Sequence, residues 1–316
     1  MRYTVFVDGQ EGTTGLQINE YLAERADVEV LKIAADKRKD LAERKRLINA
    51  SDVTFLCLPD AAAKESVALV DNPRTCVSDA STAHRVHPDW VFGLPELCPE
   101  QRAKIRASKR IANPGCHASA FILAVRPLID AGLIAADTQL AANSITGYSG
   151  GGKKMIADYE AAAASATQLK APRPYALGLE HKHLPEIVTI CHLTQEPVFT
   201  PIVDDYYSGM EVMIPFFSHL LAKKVTAHDV WQVLASHYDG CPFVHVLPFG
   251  EDKGGFIAAN DMSGYDDMEI LVTGNDQRIM VTSLFDNLGK GASGAAIQNM
   301  NLMMGIDATT GLQLKH

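Results

Sequence analysis

The chain has 316 residues, 47% of them hydrophobic and 21% charged, with a formal net charge of −9. That length exceeds what one hydrophobic core usually holds, so two domains are expected. The acidic balance argues against a general nucleic-acid binder, whose phosphate contacts need a basic surface, but leaves room for a local basic pocket that takes a phosphorylated small molecule.

The opening MRYTVFVDGQEG runs straight into a strand and reads as free of a signal peptide. YTVFVD (3–8) is a short apolar run that stops at glycine, as a buried parallel strand does. A helix is expected over the later part of GQEGTTGLQINEYLAE, which carries Leu16, Ile18, Tyr21 and Leu22. Strands follow at 28–34, 52–59 and 75–81, separated by helices at 41–50 and 61–70. This alternation predicts a parallel sheet of Rossmann type. A short strand at about 109–112 then leads through Asn-Pro-Gly into an apolar helix from 117.

Beyond it the pattern changes. DTQLAANSITGYSGGGKK (137–154) carries a strand into a glycine-rich loop, and an alanine run occupies 161–164. PEIVTICHLT, GMEVMIPFF, FVHVLPF, GGFIAANDMSG, MEILVTG and RIMVTSLFDN read as closely spaced strands. They predict an α+β second domain with a mixed, mostly antiparallel sheet. GASGAAIQNMNLMMGI reads as a final helix opened by a glycine-rich turn. The expected division is a dinucleotide-binding domain over 1–116, a catalytic and oligomerisation domain over 117–284, and a segment over 285–316 that returns to the first domain. No run approaches 18 uninterrupted apolar residues, so no membrane span is expected.

Gly9, Gly12 and Gly15 stand between the first strand and the first helix, with Thr13 and Thr14 among them. A pyrophosphate needs close backbone approach at a helix N-terminus, where N–H groups and the helix dipole favour an anion. The spacing G-x-x-G-x-x-G differs from the commoner G-x-G-x-x-G; a ligand-free tight turn is the alternative. After the second strand, Asp36 precedes Lys37, Arg38 and Lys39, a mixture that leans towards the 2′-phosphate of NADP over NAD; a solvated helix start would look the same.

Six cysteines include no CxxC pair, so neither a zinc ribbon nor a disulfide framework is indicated and a reduced, cytoplasmic protein is the default. Cys116 alone stands where a strand turns into a helix. A thiolate there is favoured by the helix N-terminus, Asn113 and Gly115 can hold the turn, and helix-start N–H groups can bind an oxyanion. Cys57 and Cys191 lie in apolar runs read as strands and look like packing. On this context Cys116 is either a nucleophile or a structural residue. His181 and His183 share a face in an extended segment, and Glu186 can orient one imidazole. A zinc site would need further ligands, and no metal is expected. The loop with Ser149, Gly150, Lys153 and Lys154, and Arg85 after the fourth strand, are candidates for anionic groups of a substrate, and Asn113 beside the cysteine is a further substrate-binding candidate.

Taken in order, the G-x-x-G-x-x-G loop, SDASTAHR, FGLPEL, ANPGCHAS, GYSGGGK, EHKHLPEI and NLGKGASGAAIQNMN resemble the N-acetyl-gamma-glutamyl-phosphate reductase family of the semialdehyde dehydrogenase superfamily, in its shorter bacterial form. The resemblance spans residues 9 to 301, and NPGC and KGASGAAIQNMN are its most specific parts. It implies that Cys116 is the nucleophile that forms a thioester from an acyl phosphate. It implies that His183, with His181 beside it, is the general acid/base, with Glu186 the acid that follows. It implies NADP(H) as cofactor, with Asn287, Gly291 and Gln298 in the segment beside the nicotinamide. Partners would be the acyl phosphate, inorganic phosphate and further copies of the chain in a homodimer or homotetramer, with no nucleic acid and no membrane. Two features depart from the family: QEGTT replaces a Ser- and Tyr-rich loop, and His84 replaces an aromatic residue before Arg85. A related enzyme acting on aminoadipyl or aspartyl phosphate, a non-catalytic NADP sensor and a histidine-based metal protein are the alternatives.

Overall fold

The computed structural model describes residues 2–162 and 167–316, so the alanine run at 161–164 lies in part outside the described residues. The chain forms two compact units, Met1–Gly115 with Ala292–Leu312 and Cys116–Gly291 with Gln313–His316.

In the first unit, β1 (Tyr3–Asp8), β2 (Val28–Leu31), β3 (Val53–Leu56), β4 (Cys76–Asp79), β5 (Val91–Phe92) and β6 (Arg110–Ala112) form a six-stranded sheet in the order β2-β1-β3-β4-β6-β5. Every pairing is parallel. Residues of β3 and β4 are buried throughout, the polar Thr54, Ser78 and Asp79 among them, as in strands covered on both faces. α1 (Thr13–Ala23), α2 (Leu41–Ala50), α3 (Asp60–Ala68) and α4 (Gln101–Ala107) complete the alternation. The Asp40 carboxylate caps α2 by accepting from the N–H groups of Ala42 and Glu43. Phe6, Ile33, Leu47 and Ile48 make one core cluster; Leu56, Ala63 and Val77 make another. The second strand is shorter than 28–34 because the chain turns at Ala35–Lys37.

One charged tie crosses this apolar packing. Buried Arg44 on α2 donates to Asp8 Oδ2 at the end of β1, from Nη2 at 3.1 Å and from Nε at 3.2 Å. The Ser66 hydroxyl on α3 donates to the same oxygen at 2.8 Å. Asp8 is the residue before Gly9, so the network fixes the point where β1 enters the glycine loop.

In the second unit, α5 (Cys116–Asp130), β7 (Ala141–Gly147), α6 (Gly152–Glu160), β8 (Arg173–Pro174), α7 (Leu184–Cys191), β9 (Val198–Asp204), β10 (Met210–Phe217), α8 (Ala227–His237), β11 (Val244–Val246), β12 (Met268–Asn275) and β13 (Arg278–Phe285) follow in order. The sheet runs β11-β12-β13-β10-β7-β9-β8. It is mixed: β11 with β12 and β7 with β9 are parallel, and the other four neighbour pairs are antiparallel.

Two strand expectations fail here. PEIVTICHLT is helix α7: Pro185 starts it, Leu184, Ile187 and Cys191 bury one face at helical spacing, and left-handed His192 (φ 56°) ends it. GGFIAANDMSG is turns; Gly254 and Gly255 have φ of 72° and 86°, outside strand geometry, and Met262 reaches the core against Leu271 and Leu284, with half-buried Ile257 packed on that cluster. Strand β9 and helix α8 were not anticipated, although α8 opens with a capping box of Thr226 and Asp229. Cys57 lies one residue beyond β3, not in it.

The returning segment carries α9 (Gly294–Met303), every residue of which is buried in the described structure. Tyr3 and Arg25 hold it by donating to Met304 O and to Asn301 Oδ1, each at 3.0 Å. Replacing one member of a buried ion pair strands its partner. Arg44→Leu is therefore expected to lower unfolding free energy by about 3–5 kcal/mol in urea titrations; a loss below about 1 kcal/mol would show that the Asp8 tie is not needed.

Candidate active site

Cys116 is the first residue of α5 and is half-buried. The Asn-Pro-Gly ahead of it is held firmly. Asn113 N donates to Asp79 O at 2.7 Å, and Asn113 Nδ2 donates to Ala292 O at 2.9 Å. Asn299 Nδ2 donates to Asn113 Oδ1 at 3.2 Å. On the other side of the thiol, a Cβ on Gly291 would stand 2.9 Å from Cys116 Cβ and 2.9 Å from Phe285 Cε2. Only glycine fits there. The other thiols have a different setting: burial pushes Cys57 up to about 12 and pushes Cys191 up as well.

Three imidazoles gather beside Cys116. Cys116 Sγ and one nitrogen each from His117 and His183 all lie within 4.8 Å of one another. The His181 and His183 rings are edge to face at 4.8 Å, and each is 5.4 Å from His117. They meet because 181–183 is a turn at the start of α7, not the extended segment expected. His183 N donates to His181 Nδ1 at 3.3 Å, so neutral His181 carries its proton on Nε2. Glu186, buried on the first turn of α7, belongs to the same segment. Phe199 of β9 closes the cluster, 5.2 Å from the rings of His117 and His181.

His117 was not anticipated as a site residue, nor were its partners. Its Nδ1 bonds Ser144 Oγ of β7 at 2.7 Å and its Nε2 bonds Tyr175 OH at 2.9 Å. Burial, aided by His181 and Lys182, pushes its pKa down to about 3. It is a neutral, fixed wall of the site. Burial and the Cys116 thiolate in turn push the Tyr175 hydroxyl up. The sequence signal was the CH dipeptide itself, visible only once α5 is known to begin at the cysteine.

The glycine loop fits a dinucleotide. Gly9 has φ +89°, and a Cβ there would meet Cys57 O at 2.3 Å; a Cβ on Gly15 would meet Gly9 O at 2.5 Å. Gly12, the N-cap of α1, has nothing nearer than 3.5 Å, and the first turn holds no acid. Thr13 Oγ1 is buried with no hydrogen-bond partner among the described residues, a donor waiting for an acceptor. Thr14 O accepts from Ser293 at 3.3 Å. Arg38 pairs with Glu11 of the loop at 3.0 Å, and Lys37 is exposed on the turn after β2.

Comparison with known proteins agrees with this geometry. A model of the semialdehyde dehydrogenase NAD binding domain matches residues 4–105, and one of the semialdehyde dehydrogenase dimerisation domain matches residues 116–287. The chain belongs to the semialdehyde dehydrogenase family. Among its relatives, the N-acetyl-gamma-glutamyl-phosphate reductase 2 of a Nostoc species is 41% identical, covering 98% of each chain. The N-acetyl-gamma-glutamyl-phosphate reductase of a Chelativorans species is 43% identical, covering 96% of this chain and 99% of its own. The resemblance read from the motifs therefore holds, and the chain is an oxidoreductase of this family with a nicotinamide cofactor domain. Among solved structures, aspartate semialdehyde dehydrogenase II from Vibrio cholerae shares the fold, with a TM-score of 0.72 at 16% identity, covering 96% of this chain and 99% of that one.

In this semialdehyde dehydrogenase the remaining predicted residues have defined places. Asn287 belongs to the second unit, where its Nδ2 donates to Ser149 Oγ at 3.0 Å and its Oδ1 accepts from Gly209 N at 2.9 Å. Gly150 lies beside it, exposed, and Lys153 and Lys154 are exposed on the first turn of α6, which replaces the expected loop. Arg85 is buried and donates to Asn113 O and Ala80 O at 3.1 and 3.0 Å. Gln298 donates to Glu96 at 2.6 Å within the first unit. His84 fills an aromatic role, stacked on Trp90 at 4.1 Å and bonded to buried Asp79. Among the described residues no helix is long and apolar enough to cross a membrane.

The His117 shift has a measurable sign. Below pH 6.5 the unfolded chain takes up a proton that folded His117 refuses until about pH 3, so stability falls as pH drops through that window. At pH 5 the loss amounts to about 2 kcal/mol. His117→Gln should flatten the decline in melting temperature between pH 7 and pH 5; an unchanged slope would place the proton uptake elsewhere.

Proposed function

We propose that the chain catalyses the NADPH-dependent reductive dephosphorylation of N-acetyl-L-glutamyl 5-phosphate to N-acetyl-L-glutamate 5-semialdehyde, a step of arginine biosynthesis in the cytoplasm. The observation that carries this reading is the grouping of Cys116 Sγ with His117 and His183 within 4.8 Å. It occurs in a chain 41% and 43% identical to relatives of that name.

The Cys116 thiolate attacks the gamma-carbonyl; the C–S bond forms, and the C–O bond to phosphate breaks as inorganic phosphate leaves. N–H groups at the start of α5 are the oxyanion donors in this scheme. The reduced nicotinamide supplies the hydride that converts the thioester carbon to the aldehyde level. His183 gives a proton to the developing alkoxide and recovers it as the thiohemiacetal collapses and Cys116 leaves as thiolate. His181 and Glu186 orient His183, and neutral His117 keeps a second positive charge away from it. Lys153 and Lys154, with Arg85, are the candidates for the carboxylate and phosphate of the substrate.

For the cofactor, Gly9, Gly12 and Gly15 with Thr13 and Thr14 take the pyrophosphate, and Lys37 and Arg38 take the 2′-phosphate of NADP. Asn287, which holds Ser149, and Gly291, which leaves room beside the thiol, are the further cofactor-binding candidates. Assembly is a homodimer or homotetramer. Its contact is the sheet face of Met213, Pro215 and Phe217, half-exposed or exposed on β10, with Met280 opposite Pro215 on β13.

The reverse reaction tests the chemistry. NADP, N-acetylglutamate semialdehyde and inorganic phosphate should yield NADPH with wild type and none with Cys116→Ser, and His183→Asn should lose about 10²–10⁴ in rate. Phosphate-dependent turnover only with a longer or shorter aldehyde would change the substrate; no turnover with intact NADPH binding would favour a sensor. Arg38→Ala is expected to raise KM for NADPH about tenfold, the weight of one charge-assisted contact, and to leave KM for NADH unchanged. Equal effects on both cofactors would remove Arg38 from the 2′-phosphate.

A further inference from the structure

The cluster that serves the nucleophile also has the composition of a metal site. We propose that Cys116, His183 and His117 form an inhibitory binding site for a thiophilic divalent cation, zinc above all. One ligand atom from each lies within 4.8 Å of the others. Around tetrahedral zinc, sulfur at about 2.3 Å and nitrogen at about 2.0–2.1 Å stand about 3.3–3.6 Å apart. The three atoms therefore need to close by about 1 Å, within reach of side-chain rotation. Three protein ligands leave the fourth position to water, the arrangement of an open zinc site.

The ligands differ in role. Cys116 is half-buried, so the ion arrives from its side, and buried His117 and His183 form the floor. On binding, the thiol proton goes to solvent, a metal–sulfur bond forms and no electron is transferred. His117 is the conditional ligand. Its two nitrogens hold Ser144 Oγ and Tyr175 OH, at 2.7 and 2.9 Å. Of the two partners Ser144 is fully buried and Tyr175 only half-buried, so the Tyr175 hydroxyl is the one that can give way. The ion takes His117 by displacing that hydroxyl. Tyr175 thus acts as a competitor that weakens metal binding and keeps the thiol available for carbonyl carbon. Cys191, at the far end of α7, is no part of this triad.

The inhibitory consequence rests on Cys116 being the nucleophile, but the binding does not, so the test reads binding directly. Cobalt(II) is titrated into the reduced full chain under anaerobic conditions and followed by the near-ultraviolet thiolate-to-cobalt band. One equivalent should develop the band; zinc should displace it and a chelator remove it, with activity lost and restored in parallel. Cys116→Ser should abolish the band. His183→Asn and His117→Gln should each weaken binding about tenfold or more, and Tyr175→Phe should tighten it several-fold. A normal band in a wild type that fails the reductase assay would support the site while overturning the reaction. Absence of the band in wild type, or a band of unchanged affinity in both histidine variants, would overturn the site. Zinc inhibition without a band would do the same.

Discussion

Asn113 bonds in four directions at once. Its backbone N–H reaches Asp79 O on β4, its amide nitrogen reaches Ala292 O, its amide oxygen accepts from Asn299 on α9, and its carbonyl accepts from Arg85. The side chain is 1% exposed, so each of these groups would go unsatisfied if the arrangement shifted. Three residues later stands Cys116. Within the first unit this buried polar hub ties the end of the sheet at β4 to the returning helix, so the last residues before the thiol are held by both.

Around the thiol the protein places rings instead of charges. Burial keeps His117 neutral through the ordinary pH range, and Ser144 and Tyr175 hold its orientation. The histidines of the turn stand beside that ring, with His183 buried and Glu186 one helical step further on. A sulfur flanked by imidazoles has the composition for both acyl transfer and soft-metal coordination, and Tyr175 occupies one of the nitrogens that a metal would need.

The parallel sheet was legible because short strand-like segments alternate with helical ones, and VTFL and CVSD are buried along their whole length. The second unit was less so. IVTIC is β-branched and apolar, yet it is a helix, because Pro185 starts it and the buried positions fall at helical spacing. VFTPIVD hides a strand behind Pro201, which pairs with Ser144 in the parallel register of β9 with β7. At the site, Cys116, His181, His183 and the three glycines were readable from type and spacing. His117, Ser144 and Tyr175 were not, since three separate elements bring them together. Arg85 and Asn113 were read as substrate ligands from their chemistry, but their bonds are to the protein's own backbone and amides.

The order in which the chain contributes to its two units bears on how the molecule is made. The first unit needs Ala292–Leu312, and α9 is buried along its whole length within it. On the ribosome, the strands of the parallel sheet emerge early and wait without their last helix while some 176 residues of the second unit are synthesised. The second unit is almost continuous and can condense first. Nascent chains of this protein thus carry an open apolar surface on their oldest segment until Ala292–Leu312 has emerged, the interval in which a holding chaperone would matter most.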